Sequence, residues 1–134
     1  MKTIQLFLIA TALLFSCAKS QTLSPDVPLL GNWGGRGIVL VASDQEVNMN
    51  FDCGTGIISK KVVLSSNKFS EKGTYTQEMG MIPVNYEPKP KPVLYEATLA
   101  SDTLTLVMKS EDGKTTMAAY TVGKNVFGKI NRCL

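Results

Sequence analysis

A chain of 134 residues with 14 lysines and arginines against 11 acidic residues carries a formal charge of +3 and has room for one domain and no more. Its basic residues are scattered, with Lys89 and Lys91 the nearest approach to a patch, which excludes the clustered footprint of a nucleic-acid binder. There is no histidine at all, so no imidazole is present for general base catalysis or metal ligation near neutral pH.

Residues 1–16 are read as a signal peptide. Met1-Lys2 gives a short positive start, residues 4–15 are apolar apart from Gln5 and Thr11, and small residues follow at Ser16, Ala18 and Ser20. Such a run is too short to span a bilayer and has the flanks of an export leader. Two cuts compete. Leu14-Phe15-Ser16-Cys17 resembles the lipobox of bacterial lipoproteins, which implies a lipid on Cys17 and a membrane-anchored envelope protein. An ordinary cut after Ser20 would leave a soluble secreted or periplasmic protein beginning at Gln21. Residues 17–30, polar and holding Pro25 and Pro28, are expected to form a flexible tether or a loosely packed lead-in.

The domain proper is expected over 31–134. It opens on Gly31-Asn32-Trp33-Gly34-Gly35-Arg36-Gly37, a stretch with four of the eleven glycines and the only tryptophan. From Arg36 onward the apolar pattern has a period of two. Val47, Met49, Phe51 and Cys53 fall on one face of 46–53; Val93, Tyr95, Ala97 and Leu99 on one face of 93–99; Leu104, Leu106 and Met108 on one face of 103–109. Alternation of this kind marks half-buried antiparallel strands. Strands are predicted at about 36–42, 45–52, 56–64, 67–78, 93–100, 103–110, 115–122 and 125–131, with turn residues such as Ser43-Asp44, Ser101-Asp102 and Gly123-Lys124-Asn125 between them. Lys60-Lys61 breaks the third run, where a bulge or bend is expected. Connections this short join antiparallel neighbours, so the predicted fold is all-β: one meander of about eight strands closed into a small barrel, with a β-sandwich as the alternative.

One long connection interrupts the spacing. Residues 79–92 include Pro83, Pro88, Pro90 and Pro92, and the Pro-Lys-Pro-Lys-Pro run favours extended polyproline II. It reads as a stiff crossover at one barrel end, or as a binding strip displaying Tyr86, Lys89 and Lys91. Of the three cysteines, Cys17 belongs to the leader region, and Cys53 and Cys133 remain to oxidise together outside the cytoplasm, two buried free thiols being the alternative.

Motifs that would carry catalysis are not present. No nucleophile-elbow pattern occurs, the 31–37 glycines lack the ending of a phosphate loop, and Glu111-Asp112 precedes Gly113 in a turn. The chain is therefore read as no enzyme, with neither metal nor cofactor. Asp52, on the polar face of its strand, is a candidate to pair with Arg36 or Arg132, or is simply an exposed strand aspartate.

Gly31-x-Trp33 is similar to the signature of lipocalins and their calycin relatives. That resemblance implies a barrel whose closed end is plugged by Trp33 and covered by a basic residue near the last strand, here Arg132, through a cation–π contact. A second resemblance covers nearly the whole mature chain. Trp33-Gly34-Gly35, Phe51-Asp52-Cys53-x-x-Gly56-x-Ile58, the 95–106 segment and Cys133-Leu134 look like a family of small exported bacterial proteins with no assigned activity. Members often carry histidine where this chain has Thr55, and the resemblance implies a Cys53–Cys133 bridge. Two functions are carried forward: a non-enzymatic module holding a small apolar ligand in the barrel mouth, where inward Ala97 and Ala119 would leave space, or an inhibitor-type protein-interaction module using residues 79–92.

Overall fold

The computed structural model describes residues 25–133. The residues expected to form a signal peptide, both expected cleavage points, Cys17 and the expected tether up to residue 24 lie outside the described residues, as does Leu134. No helix occurs among those described. Eight strands form the barrel: β2 (Gly31–Gly35), β3 (Ile38–Ala42), β4 (Val47–Phe51), β5 (Gly54–Ile58), β7 (Lys68–Gln77), β8 (Lys91–Ala100), β9 (Thr103–Ser110) and β10 (Thr116–Lys124). Two short strands, β1 (Val27–Pro28) and β6 (Val63–Leu64), pair with each other outside it. Each barrel strand runs antiparallel to the next, and β10 pairs back onto β2 to close the ring. The predicted meander barrel is therefore what forms, and a sandwich is not.

Alternation decides what fills the interior. Ile38, Leu40, Val47, Met49, Ile58, Tyr95, Leu104, Leu106 and Val122 are all essentially inaccessible to solvent. The Tyr95 ring occupies the middle. It fits because Gly73 on the adjoining strand β7 and Gly56 on β5 beyond it lie under it, where a Cβ at either position would meet its ring or hydroxyl. Its hydroxyl donates to the carbonyl of Thr74 at 2.8 Å, on the last rung of the β5–β7 ladder. Phe51, Tyr75 and Tyr120 pack together above it, Phe51 meeting Tyr75 edge-on with centroids 5.8 Å apart and Tyr120 at a tilt with centroids 5.0 Å apart. The lumen is a packed core.

Several expectations need correction. Residues 36–42 do not make one strand: Arg36-Gly37 is a turn, with Gly37 at φ 77°, and the glycine-rich stretch before it is itself a barrel strand. Residues 125–131 are not a strand of the ring. Lys124 ends β10, Asn125 adopts a left-handed φ of 57°, and the chain doubles back over the outside of β2. Asn125 N–H donates to Asn32 C=O, Lys129 N–H to Gly35 C=O, and Gly37 N–H to Lys129 C=O. Gly34 permits that crossing, since a Cβ there would collide with the backbone of Val126 and Gly128. Ala119 points outward: a bulge between Thr116 and Ala118 shifts the register, so Ala118, Tyr120 and Val122 take the inward positions. Nor are residues 25–30 loosely packed, because β1 pairs with β6 and Leu29 is buried, donating its N–H to Val62 C=O at 2.9 Å. The break expected at Lys60-Lys61 is present. There β5 stops and the chain leaves the wall, so that β6 pairs outside, and Lys60 closes the gap through an ion pair with Glu71 at 2.8 Å.

Candidate functional site

The meander gives the barrel two unlike ends. At the first, β2 begins and β10 finishes, and the 59–64 excursion folds underneath. Trp33 is 4% exposed here among Leu29, Leu30 and Leu64, and its indole N–H donates to Leu30 C=O at 3.2 Å. The register pairs Lys124 with Trp33, and the Lys124 ammonium stands 6.0 Å from the ring centroid. Trp33 is buried at this end, and the cation over it is Lys124 rather than Arg132. Because β10 ends at Lys124, the tail carries Arg132 to the opposite end.

That opposite end holds the turns at 36–37, 52–53 and 111–115, the long 78–90 loop, and the disulfide. Cys53 and Cys133 are bonded with their Cα atoms 5.3 Å apart, the arrangement expected of an oxidising compartment. Asp52, one residue before the bridge, accepts the N–H of Asn131 at 2.7 Å and packs against Gly37. Neither Arg36 nor Arg132 forms an ion pair with it; its role is to clamp the returning tail. At the 111–115 turn Asp112 accepts from the Ser110 hydroxyl and the Lys114 N–H. Those two bonds hold its carboxyl below the usual carboxylate range on a fully solvated turn, which fits no catalytic dyad.

Outside the wall at this end lies a cleft of about 700 Å³. Asn50 and Thr55, cross-strand partners on β4 and β5, form its floor. The tail is one side, through Ile130 and Arg132, and Glu78 with Met79 is the other. None of the side chains of Asn50, Thr55, Glu78 and Arg132 has a hydrogen-bond partner among the described residues, and each is at least partly open to solvent. The alternation of 46–53 placed Asn50 and Asp52 on the outer face. The tight β4–β5 hairpin sets Thr55 opposite Asn50; only the pairing of β5 with β7 and the return of the tail bring Glu78 and Arg132 beside them.

From Glu78 the chain rises into the loop. Tyr86, Lys89 and Lys91 do come together, around a shallow concavity with Asn85 and Glu87. The loop's apolar residues follow no strand or helix alternation that would mark them in sequence. Met81 is 89% and Val84 93% exposed, with Met79, Ile82 and Tyr86 also open to solvent. Their number is the signal, since residues 79–86 hold five large apolar side chains.

Burial raises the pKa of Tyr95 far above the ordinary tyrosine value of 10.0, helped by the neighbouring Tyr75 and Tyr120 phenols, and burial raises Tyr75 and Tyr120 as well, with Glu78 adding to the first and Tyr75 and Asp52 to the second. A phenol that ionises more easily unfolded than folded favours the folded state only while it stays protonated. The stability contributed by neutral tyrosine is therefore complete below about pH 10 and lost as pH climbs through the folded values. Tyrosinate absorbance is expected to appear late and together with loss of β-sheet circular dichroism above that pH. A gradual rise in absorbance, with the fold intact, would contradict it.

Compared with models of protein families, with curated proteins and with solved structures, the chain has no match.

Proposed function

We propose that this protein is a non-enzymatic, exported interaction module of the cell envelope, anchored by lipid at Cys17, that captures a protein partner with the 78–90 loop. The observation that carries the reading is the display of Met81 and Val84, almost wholly exposed, on a loop whose two ends rise from paired strands of a closed barrel. Apolar side chains held out on a rigid scaffold lower the entropy cost of docking and supply the anchors on which interface affinity concentrates. The other reading, a small apolar ligand in the mouth, would require the Phe51, Tyr75 and Tyr120 layer to move aside.

The test is a photo-crosslinking residue at Val84 in its own host, with Lys114 as the control position. A discrete partner is expected from Val84 alone. Combining Met81→Ser with Val84→Ser should weaken its capture at least tenfold, about 1.4 kcal/mol or more, and leave thermal unfolding unchanged. Equal crosslinking from both positions, or undiminished capture by the double variant, would sink the proposal.

A further inference from the structure

We infer that the cleft between the disulfide-pinned tail and the base of the 78–90 loop is a peptide-binding subsite, taking an extended segment of the partner that presents a basic side chain between apolar ones. The inference rests on the interaction-module reading and adds the chemistry of what is held.

Charge comes first. The cleft is lined by two carboxylates, Asp52 and Glu78, against one guanidinium, Arg132. Asp52 gives one oxygen to the Asn131 N–H, whereas Glu78 has no side-chain partner among the described residues. A cationic group between the acidic pair meets a net negative site, and Arg132 at the tail side favours the chain's carbonyls over a second cation. Shape comes next. The floor is an outward-facing cross-strand pair, Asn50 and Thr55, whose amide and hydroxyl can each donate and accept towards a main chain laid across them. Met79 and Ile130 stand on opposite sides as apolar lips. At about 700 Å³ the cleft lies within the range of about 300–1,000 Å³ usual for ligand sites. It lies on the outer wall and is open along one side, so it suits a segment that continues beyond it better than a molecule enclosed by it. Glu78 and Met79 belong at once to the cleft wall and to the root of the displayed loop, so a chain held by Met81 and Val84 has the cleft directly in its path.

The experiment is an amide chemical-shift titration of the oxidised full chain with three capped peptides: Ala-Leu-Lys-Leu-Ala, Ala-Leu-Gln-Leu-Ala and Ala-Leu-Glu-Leu-Ala. Shifts should concentrate at Asn50, Thr55, Glu78, Ile130 and Arg132, with affinity in the order lysine, glutamine, glutamate. Glu78→Gln, a partly solvated position that leaves the Asp52 clamp untouched, should cut the preference for lysine over glutamine by roughly threefold, the scale of a surface ion pair. Shifts elsewhere, no saturation, or equal affinity for the acidic peptide would overturn the inference. The combined Met81→Ser and Val84→Ser variant separates the two proposals. Peptide binding should survive in it while partner capture fails; capture that depends on the loop but no peptide binding in the cleft would defeat this inference alone.

Discussion

Cys133→Ser is expected to lower the unfolding free energy by roughly 4.5 kcal/mol, the chain-entropy value for a closed loop as long as this one. The bridge spans 80 residues of sequence, most of the barrel, so its loss frees the unfolded chain far more than it disturbs the folded one. Cys53→Ser and the double replacement should cost the same amount, since each deletes a single shared bond. Urea midpoints of the three variants and of reduced wild type make the comparison. Coincident midpoints well below that of the oxidised protein are the expected result. A drop under about 1 kcal/mol would mean that the tail's own hydrogen bonds and the Asp52 clamp hold it without the sulfurs. Hydrogen exchange at the Gly37 and Lys129 amides separates these cases, because both protons are covered only while the tail lies on β2.

Tyr95→Ala is the replacement within the barrel with the largest expected cost, about 3–5 kcal/mol, the range for deleting a buried aromatic ring. Three features place it at the upper end. Its ring is inaccessible to solvent, it sits against two glycines that have no side chains to collapse into the hole, and the Thr74 carbonyl loses its hydroxyl donor. Tyr95→Phe keeps the volume and should cost only about 1–2 kcal/mol, the share of the hydrogen bond. Thermal or denaturant unfolding of both variants checks the ratio. Equal costs would show that the hydroxyl matters more than the packing. A negligible cost for the alanine variant would mean that the lumen tolerates a void, and would return a small apolar ligand to consideration.

The parts of this architecture legible in sequence were those written in local alternation. The inward sets of 47–51, 93–97 and 104–108 could be read directly, because each strand carries its own period-two record of which side faces the core. The seam could not. Gly31–Gly35 has Trp33 but no β-branched residue to mark a strand; it is a strand because β3 and β10 pair with it on either side, and its glycine lets the returning tail cross it. Residues 125–131 hold Val126, Phe127 and Ile130 and look like a strand, yet the ring is complete at Lys124 and Phe127 is left fully exposed. That one-element shift also moved the cation: with β10 ending sooner, Lys124 reaches Trp33 and Arg132 goes to the cleft. Tyr86, Lys89 and Lys91 were found because they are sequence neighbours. The cleft draws on β4, β5, the root of the loop and the tail, and no local pattern links those positions.

The seam between β2 and β10 also governs when this protein can become itself. Their pairing joins residues some ninety positions apart, from Trp33 to Lys124, so the ring has high contact order and is expected to form slowly compared with helical domains of the same size. A chain emerging amino-terminus first exposes Cys53 long before Cys133, and cannot close its cylinder until nearly all of it is available to pair. Through that interval the half-built sheet has two open flanks and an unmatched thiol, which makes it a substrate for holding chaperones and disulfide catalysts.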